Sequence, residues 1–471
     1  MMFGFLEKLM NKKMTTEEIA SLLKTSPELI KKFEESYNKN VLSTRIDSDN
    51  LFDYNSKDAS LERAEEHKND VVLTDMVEKI VTELLSQSYV MEFDGKEIVY
   101  HSPKEEKALM LVGAEEVNKL PLDSRPQLTG NLVARDISEP SYVALLEMYK
   151  KYLSKDNPEK VRIHSYHMFR QGLDILDLDE ITYQIIGMNK NSMGYWLPAI
   201  VPAFVKDGFF KIPKTKVLKV PLSLLQLTRK DYMFLNNTTM KIVDDYIYKV
   251  FELKDDKEYF VKTGTYSSKF DFRNAHVAGE NEVRTLGEYL LFIHYQAFCM
   301  AHYDLSPNGK KPIIYGVSTT NEWCVREFIQ DKENAQSIYF GLPLHTEYRI
   351  FVDFDTDEVL GIHNYWDSKV MKKRFAEERN MTDKHDAITF SLSEERLVSN
   401  YEKNKDMIVT KIADIIKNID LEGQWSIDVM QNSDDFYIID MALADSSAFY
   451  KESVPENKRK HLEEQWLPRL N

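Results

Sequence analysis

Cysteine is scarce in this sequence. Cys299 and Cys324 are its two cysteines among 471 residues, and they do not form a Cys-x-x-Cys pair. A disulfide framework and a cysteine-based zinc site both need several cysteines at suitable spacing, so the sequence excludes both classes. This composition favours a reducing cytoplasm as the compartment.

A long apolar run is also missing. No stretch of about 18 consecutive apolar residues occurs, so no segment is expected to span a bilayer. The opening segment MMFGFLEKLMNKK places its lysines after its apolar residues and has no small-residue cleavage site, so we expect no secretory signal peptide. The expectation is a soluble protein without a membrane partner.

An excess of positive charge and the common nucleotide motifs are absent too. The formal net charge is −16 at pH 7, from 61 Lys and Arg against 77 Asp and Glu. A chain this acidic is not expected to bind nucleic acid through its bulk charge, although a local basic groove is compatible with it. Neither GxxxxGK[ST] nor GxGxxG occurs, which excludes a P-loop and gives a dinucleotide fold no support. The absence of a KxDG stretch disfavours a nucleotidyltransferase.

The predicted secondary structure differs between successive regions of the chain. Its length predicts two or three domains. Residues 1–125 are predicted to form a mostly helical accessory region, in which 40–70 is an irregular linker and Asp94-Gly95 turns a hairpin. After residue 240 strands alternate with helices and hairpins, including one long helix at 281–303. This mixture of strands, helices and hairpins predicts an α+β fold with mostly antiparallel sheets.

A hairpin with two acids is predicted near the C-terminal end, in WSIDVMQNSDDFYIIDMALADSS, residues 425 to 447. Because side chains alternate along a strand, Asp428 and Asp440 should lie opposite each other or one position diagonal. The same alternation places three residues on one face of the second strand: Tyr437, Ile439 and Met441. Two carboxylates among apolar residues repel unless a cation lies between them, and Mg²⁺ suits such oxygen ligands. The alternative is a sheet rim whose two acids face water.

Three upstream segments carry residues suited to binding phosphate and nucleoside groups. In FVKTGTYSSKF, Lys262 ends an apolar strand and a small-residue loop with Ser268 and Lys269 follows, where backbone N–H groups can approach an anion. In WCVREFI, Glu327 is placed to accept hydrogen bonds from ribose hydroxyls. In TEYRIFVDF, Arg349 projects from a strand and suits planar recognition of phosphate or carboxylate. Taken singly, each is better explained by structural ion pairing.

Taken together, these segments resemble the ATP-grasp superfamily over about residues 215 to 450. The closer resemblance is to a divergent branch common in phage genomes and named for one arginine and two lysines. A eukaryotic branch that assists assembly of a translation initiation factor is similar around FVKTGTYSSKF. The resemblance implies a pre-ATP-grasp domain at 126–215, an ATP-grasp domain of two α+β lobes with antiparallel sheets at 216–455, and a C-terminal tail at 456–471.

The resemblance also implies ATP and Mg²⁺ as cofactors and a role for each residue. Lys262, Lys269 and Ser268 would contact the phosphates, Glu327 the ribose, Arg349 with Lys269 the transferring phosphoryl group, and Asp428 with Asp440 the Mg²⁺. One position departs from the family pattern, because Asp440-Met441-Ala442 has alanine where the usual acid-x-Asn motif supplies a ligand. Either Asp445 or water completes the Mg²⁺ shell, or metal binding and turnover are weakened.

The activity implied by the resemblance is ligation. An ATP-grasp ligase phosphorylates a carboxylate substrate, releases ADP and passes the acyl group to an amine or thiol acceptor, here an amino acid, peptide or protein. The expected location is cytoplasmic, in a host cell if the chain is phage-encoded. The alternative is an ATP-binding assembly factor or interaction protein that has the ATP-grasp fold and no ligase turnover.

Overall fold

Two β-sheets with helices packed on them make up the described part of the chain. The computed structural model describes residues 55–101, 124–128, 189–301, 319–377 and 381–460, together with positions 17, 27, 178, 183, 186 and 187. Much of the predicted accessory region and of region 126–215 lies outside these residues.

The strands are β1 (Val90–Phe93), β2 (Ile98–His101), β3 (Phe210–Lys211), β4 (Thr215–Lys219), β5 (Tyr259–Thr263), β6 (His276–Val277), β7 (Glu322–Glu327), β8 (Ser337–Ile338), β9 (Leu342–Pro343), β10 (Thr346–Asp353), β11 (Glu358–Asn364), β12 (Gln424–Asn432) and β13 (Asp435–Leu443). The helices are α1 (Ser56–Glu66), α2 (Thr74–Ser86), α3 (Met193–Asp207), α4 (Leu222–Leu225), α5 (Asn237–Val250), α6 (Glu280–Arg284), α7 (Leu286–Ala301), α8 (Ser368–Glu377), α9 (Met381–Ile415) and α10 (Tyr450–Ser453). Short 3-10 turns lie at 226–229, 232–234, 272–274, 416–418, 444–446 and 456–458.

Antiparallel pairing dominates both large sheets. The first sheet has six strands in the order β2-β1-β4-β7-β5-β6, and all of its neighbours are antiparallel. The second has five strands in the order β11-β10-β12-β13-β3, in which β3 alone runs parallel to its neighbour. A two-stranded sheet joins β8 and β9. The prediction of an α+β fold with mostly antiparallel sheets is confirmed.

Local sequence signals explain several of these elements. Gly95 adopts φ +101° between β1 and β2, and Asp94 Oδ1 accepts the backbone N–H groups of Lys96 and Glu97 at 2.8 and 2.9 Å. The predicted Asp-Gly hairpin is therefore confirmed, since a tight turn of this kind needs positive φ and benefits from an aspartate acceptor. At the start of α5, the side chain of Asn236 accepts a backbone N–H of the first turn.

Two predictions about helices are wrong. The segment expected to be an irregular linker contains α1, which Asn55 caps by accepting two backbone N–H groups of the first turn. Its sequence is almost entirely polar, so no apolar stripe reveals it. The single helix expected at 281–303 is broken at Thr285 into α6 and α7. Just after the break, a Cβ on Gly287 would lie 2.7 Å from the carbonyl oxygen of Val243, so α7 begins where its backbone packs directly on α5.

Helix α3 was not expected, because Pro198 and Pro202 lie inside it. Proline removes a backbone hydrogen bond and usually ends a helix. Here apolar residues occur on all sides of the helix, and most of them are buried. Burial of this surface between the two sheets offsets the lost hydrogen bonds.

Two hydrophobic cores hold the sheets in place. In the first core, Val261, Trp323 and Val325 of the six-stranded sheet pack with α2, α5 and α7. The second core joins the sheets: Phe93 and Cys324 of the first sheet pack with α3, α9 and the inner face of the second sheet. None of the helices in the described ranges is both long and apolar enough to cross a membrane.

Both large sheets draw strands from more than one predicted domain. β1 and β2 belong to the region predicted as accessory, yet β1 pairs with β4 in the first sheet. β3 belongs to region 126–215 and pairs with β13. No observation tests the predicted domain boundaries at residues 125 and 215. Each large sheet, however, contains strands from both sides of one of these positions.

Glu322 is a buried carboxylate at the start of β7. The backbone N–H of Gly194 donates to its Oε2 at 2.9 Å. A Cβ on Gly194 would lie 2.3 Å from one oxygen of Glu322, and a Cβ on Gly264 would lie 2.8 Å from the other, so both glycines leave room for the carboxylate. Burial raises the pKa of Glu322 to about 7, although the hydrogen bond from Gly194 opposes the shift.

We expect the Glu322→Gln variant to be more stable than the wild type at pH 8, by up to about 3 kcal/mol. The folded-state pKa lies above the unfolded value, so protonated Glu322 favours the fold at acid pH and this advantage is lost as the pH rises towards 7. Glutamine is uncharged throughout and keeps an acceptor for Gly194. Urea unfolding of both proteins at pH 5 and pH 8 measures the difference, and an equal change in both proteins would contradict the assignment.

Candidate functional site

A cleft of about 180 Å³ lies between the two large sheets. β5 and β7 line one side, and β10, β12 and β13 line the other. Its ionisable lining comprises four bases, four acids and one histidine: Lys262, Lys269, Arg326, Arg349, Glu327, Glu347, Asp428, Asp440 and His345. Its apolar lining comprises Pro213, Phe260, Phe272, Phe328, Ile329, Leu342, Pro343, Met430 and Ile439. Six of the seven predicted site residues therefore meet in one place, although they are spread over 179 positions of the sequence.

A β-bulge in β13 turns Asp440 into the cleft. Asp428 pairs with Asp440, but the next residue of β12 pairs with Ile438, so Ile439 is an extra residue in β13. Ile438 and Met441 lie in the second core, whereas Ile439 and Asp440 both line the cleft. Without the extra residue, Asp440 would face the core. The cross-strand pairing of the two acids is confirmed, and the expected placement of Ile439 and Met441 on one face is wrong.

Arg326 of β7 holds this bulge from the opposite sheet. Its guanidinium donates to the carbonyl oxygens of both bulge residues, Ile438 and Ile439, and to Thr215 Oγ1 at 3.2 Å. Arg326 is 4 % exposed, and burial lowers its pKa to about 10, which still leaves it cationic at neutral pH. The buried charge thus ties the first sheet to the backbone that aims Asp440.

Each predicted metal ligand is paired with a predicted phosphate-binding cation. Arg349 donates to both carboxylate oxygens of Asp428, at 2.8 and 2.6 Å. Burial disfavours the Arg349 charge, but Asp428 more than compensates, so the pKa of Arg349 is raised. Lys262, which is 2 % exposed, donates to Asp440 Oδ1 at 2.9 Å. The Asp440 side chain is 43 % exposed, so water as well as Lys262 can reach it.

A second group of charges lies further along β10. Lys269 Nζ is 3.8 Å from Glu347 Oε2 and 4.3 Å from the centroid of the Tyr365 ring, over which Arg349 also lies. Burial alone would lower the pKa of Lys269, but Glu347 and Tyr365 more than offset it and the pKa is raised. Burial raises the pKa of Glu347. This end of the cleft is therefore a buried and highly charged environment.

Glu327 marks the end of the cleft where aromatic side chains gather. It is the last residue of β7 and is exposed, and its backbone N–H donates to the carbonyl of Lys214 at 2.9 Å. The next residue, Phe328, stacks on His276 with 4.0 Å between ring centroids and lies 6.2 Å from the ring of Phe272. Aromatic rings beside an exposed carboxylate suit a planar base attached to a sugar.

Ser268 is the predicted site residue whose side chain is not in the cleft. Its hydroxyl donates to Gln296 Oε1 of α7 at 2.6 Å and accepts from Asn274 Nδ2 at 2.9 Å. Ser268 adopts φ +51°, and this turn of the backbone presents Ser267 to the cleft instead. The phosphate-binding role predicted for Ser268 therefore has no support from its side chain.

Two acids of the cleft have the chemistry that a Mg²⁺ ion would need. Within the described residues, no group of three or more His, Cys, Asp or Glu side chains is placed to hold a metal. Asp428 and Asp440 are directly opposed hard oxygen donors, while Asp445 lies in the 3-10 turn after β13 and does not line the cleft. One or two carboxylates completed by water and phosphate oxygens is the usual protein environment of nucleotide-bound Mg²⁺. Ala442 adds no side-chain oxygen.

Comparison with known proteins gives little further information. No protein-family model matches the chain, and no curated protein matches it. A solved structure of C-terminally truncated Cdc123 from Schizosaccharomyces pombe is 14% identical, with 58% of this chain and 96% of that chain covered and a TM-score of 0.32. A structure of Cdc123 from the same organism is 14% identical, with 54% and 83% covered and a TM-score of 0.30. Similarity at this level does not establish a function.

Besides Ser267 and the apolar lining, four residues of the cleft were not predicted as site residues. Arg326 was visible in the sequence as the strand residue on the opposite face from Val325, but nothing local indicates that it reaches the β13 bulge. Glu347 was visible as the first member of the E-x-R strand. His345 lies directly before β10 and Tyr365 directly after β11, and neither position has a local signal that points to the cleft.

Proposed function

We propose that this protein binds Mg-ATP in the cleft between the two sheets. The observation that carries the proposal is the convergence of three bases, Lys262, Lys269 and Arg349, with the Asp428–Asp440 pair in one part of the cleft, while aromatic rings lie beside Glu327 in another. A nucleoside triphosphate has the same polarity, since its planar base is apolar and its phosphates carry the charge. The bound Mg²⁺ would neutralise phosphate charge.

Exchange of ion-pair partners accounts for how the cleft accepts the nucleotide. Lys262 and Arg349 are each paired with an aspartate. Asp428 and Asp440 would hold the Mg²⁺ ion, and Lys262 and Arg349 would then be free to donate to phosphate oxygens. Glu327 would accept hydrogen bonds from the ribose hydroxyls, and Phe328 would stack near the base. Closing the two sheets over the phosphates would exclude water and strengthen these interactions.

Binding without ligation is the first form of this function that the site supports. The Asp428 carboxylate is fully engaged by Arg349, and Ala442 leaves the metal with two protein carboxylates. In this form the protein is an ATP-binding assembly factor or interaction protein. The bound nucleotide would fix the position of the two sheets relative to each other.

Carboxylate–amine ligation is the second candidate, and the buried pair Lys269–Glu347 favours it. Arg349 and Lys269 lie over one ring, so both can contact a transferring phosphoryl group, and Glu347 provides a polar group for a further substrate.

Calorimetric titration with Mg-ATP tests the shared proposal, and absence of binding would reject both forms. ADP release with pooled amino acids and peptides separates them, because the assembly factor forms no ADP above background.

The Asp440→Asn variant is expected to bind ATP about tenfold more tightly than the wild type when EDTA removes the metal. The variant lacks the carboxylate that holds Lys262, so this cation is available to phosphate without a metal. Addition of Mg²⁺ should then improve binding far less in the variant than in the wild type. Titration of both proteins with ATP, in EDTA and in MgCl₂, gives the four dissociation constants.

The matched control for that experiment is Asp435→Asn. Asp435 lies on the same strand and pairs with Lys211 and Lys332, but it does not line the cleft. Its replacement should leave both dissociation constants, in EDTA and in MgCl₂, as in the wild type. Equal binding by Asp440→Asn and the wild type in EDTA would contradict the partner exchange.

A further inference from the structure

Glu347 is a carboxylate in the cleft that lacks a hydrogen-bond partner. It is 4 % exposed, it lines the cleft, and its Oε2 accepts no hydrogen bond from the described residues. The nearest cation is Lys269, whose Nζ is 3.8 Å away, beyond hydrogen-bond distance. A buried anion without a hydrogen-bond donor destabilises the folded protein by several kcal/mol. The presence of an unpaired carboxylate at this position therefore suggests that a ligand supplies the donor.

A second buried group without a hydrogen-bond partner lies two residues earlier, directly before β10 begins. His345 is 3 % exposed and also lines the cleft, and its Nδ1 has no hydrogen-bond partner among the described residues. The nearest acids, Asp331 and Glu333, are 3.6 Å from its two ring nitrogens. Two unsatisfied buried polar groups therefore face one part of the cleft, while the ion pairs of Lys262 and Arg349 occupy another.

Nucleotide binding at the proposed site would leave the negative charge of Glu347 even less compensated. When Lys269 binds phosphate, its charge turns towards the nucleotide and Glu347 loses its nearest compensation. The remaining nearby charges are the other carboxylates of the cleft and Arg349, which would also contact phosphate. The group that best compensates Glu347 in that state carries a positive charge and several N–H donors, because it can satisfy Oε2 and leave a hydrogen bond for the histidine.

We propose that the Glu347 end of the cleft binds the primary ammonium group of a second ligand. Glu347 Oε2 accepts a hydrogen bond from the ammonium, and His345 provides the adjacent polar contact. The inference rests on the proposed nucleotide function only in assigning Lys269 to phosphate. The ammonium can come from the amino end of a free amino acid or peptide, or from a lysine side chain of a protein. Glu347 is a binding residue in this proposal, and no proton transfer is assigned to it.

Small amines that represent the two sources test the proposal. Glycinamide represents an amino terminus, and Nα-acetyl-lysinamide represents a lysine side chain. N-acetylglycinamide and Nα,Nε-diacetyl-lysinamide are the matched probes in which acetylation has removed the ammonium. Binding of each probe to the full chain is measured by saturation-transfer NMR, both alone and with MgCl₂ and a non-hydrolysable ATP analogue.

The proposal expects at least one amine to bind the wild type and its acetylated partner to bind at least about tenfold more weakly. Glu347→Gln should weaken amine binding by a similar factor, since glutamine keeps the shape and loses the charge. Glu322→Gln is the control, because it removes a buried carboxylate that does not line the cleft and should bind amines as the wild type does.

Three results would overturn the inference: neither amine binds, the acetylated probes bind equally well, or Glu347→Gln binds amines as tightly as the wild type. Titration of the same samples with the nucleotide reports separately on the proposed function. Loss of amine binding in Glu347→Gln with unchanged nucleotide affinity supports the inference. Absence of nucleotide binding with amine binding intact rejects the nucleotide proposal alone, because the amine titrations without nucleotide still decide the role of Glu347.

Discussion

Replacing Arg63 by alanine is expected to lower the free energy of unfolding by about 3 to 5 kcal/mol. Arg63 of α1 is 3 % exposed, and its Nε donates to Glu288 Oε1 of α7 at 2.8 Å. Its Nη1 also donates to the carbonyl of Leu235 at 3.1 Å. Burial and then the charge of Glu288 raise the pKa of the nearby Asp244, so two buried acids rely on this guanidinium. Its loss leaves them without a buried cation.

Urea unfolding of the wild type and the Arg63→Ala variant measures this cost. The matched control is Lys57→Ala on the same helix, because Lys57 pairs with Glu282 while both side chains are partly exposed. Exposed pairs contribute less than about 1 kcal/mol, so the control should unfold nearly as the wild type does. A double variant, Arg63→Met with Glu288→Leu, should recover part of the lost stability, since it removes both charges of the pair and retains apolar volume, while Asp244 stays buried and the Tyr232 hydroxyl loses its acceptor. A loss in Arg63→Ala no larger than in Lys57→Ala would contradict the proposed cost.

Alternation along the strands explains how far the sequence could predict the cleft. Period-two patterning predicted that Asp428 and Asp440 would lie opposite or diagonal to each other in their hairpin and that Arg349 would project from its strand. Each of these inferences needs only the residues of one strand. The bulge at Ile439 could not be predicted in this way, because it depends on the carbonyl groups that Arg326 contacts from a strand 113 positions earlier. The acid pair was therefore predictable, whereas the backbone distortion that aligns it was not.

Neighbouring serines show a second limit of prediction from local sequence. Ser267 and Ser268 have the same chemistry, and the loop pattern gives no reason to prefer one of them. The left-handed φ of Ser268 decides which one faces the cleft, and that conformation is held by hydrogen bonds to Gln296 and Asn274. Likewise, Glu347 could be noted as a strand acid, but its lack of a donor results from burial by distant segments.

Replacing Lys262 by methionine is expected to weaken Mg-ATP binding by about 100-fold. Lys262 is a buried cation on the cleft side of β5, and methionine keeps its length without its charge. The predicted loss is that of a charge-assisted hydrogen bond to phosphate made away from bulk water, where such bonds are strongest. Calorimetric titration with ATP in excess MgCl₂ measures the change. Lys216→Met is the matched control, because Lys216 lies on β4 of the same sheet, pairs with Glu92 and Glu252, and does not line the cleft.

Stability separates a lost ligand contact from a damaged fold in the Lys262→Met variant. The variant leaves Asp440 without its cation, but the Asp440 side chain is 43 % exposed and can be hydrated in place. The unfolding free energy should therefore change by less than about 1 kcal/mol, in contrast to the Arg63 variant, whose orphaned partners are buried. Weak nucleotide binding with unchanged unfolding would place Lys262 at the phosphates. Binding within about threefold of the wild type would show that the nucleotide does not use Lys262, and the cleft would lose its assignment as the ATP site.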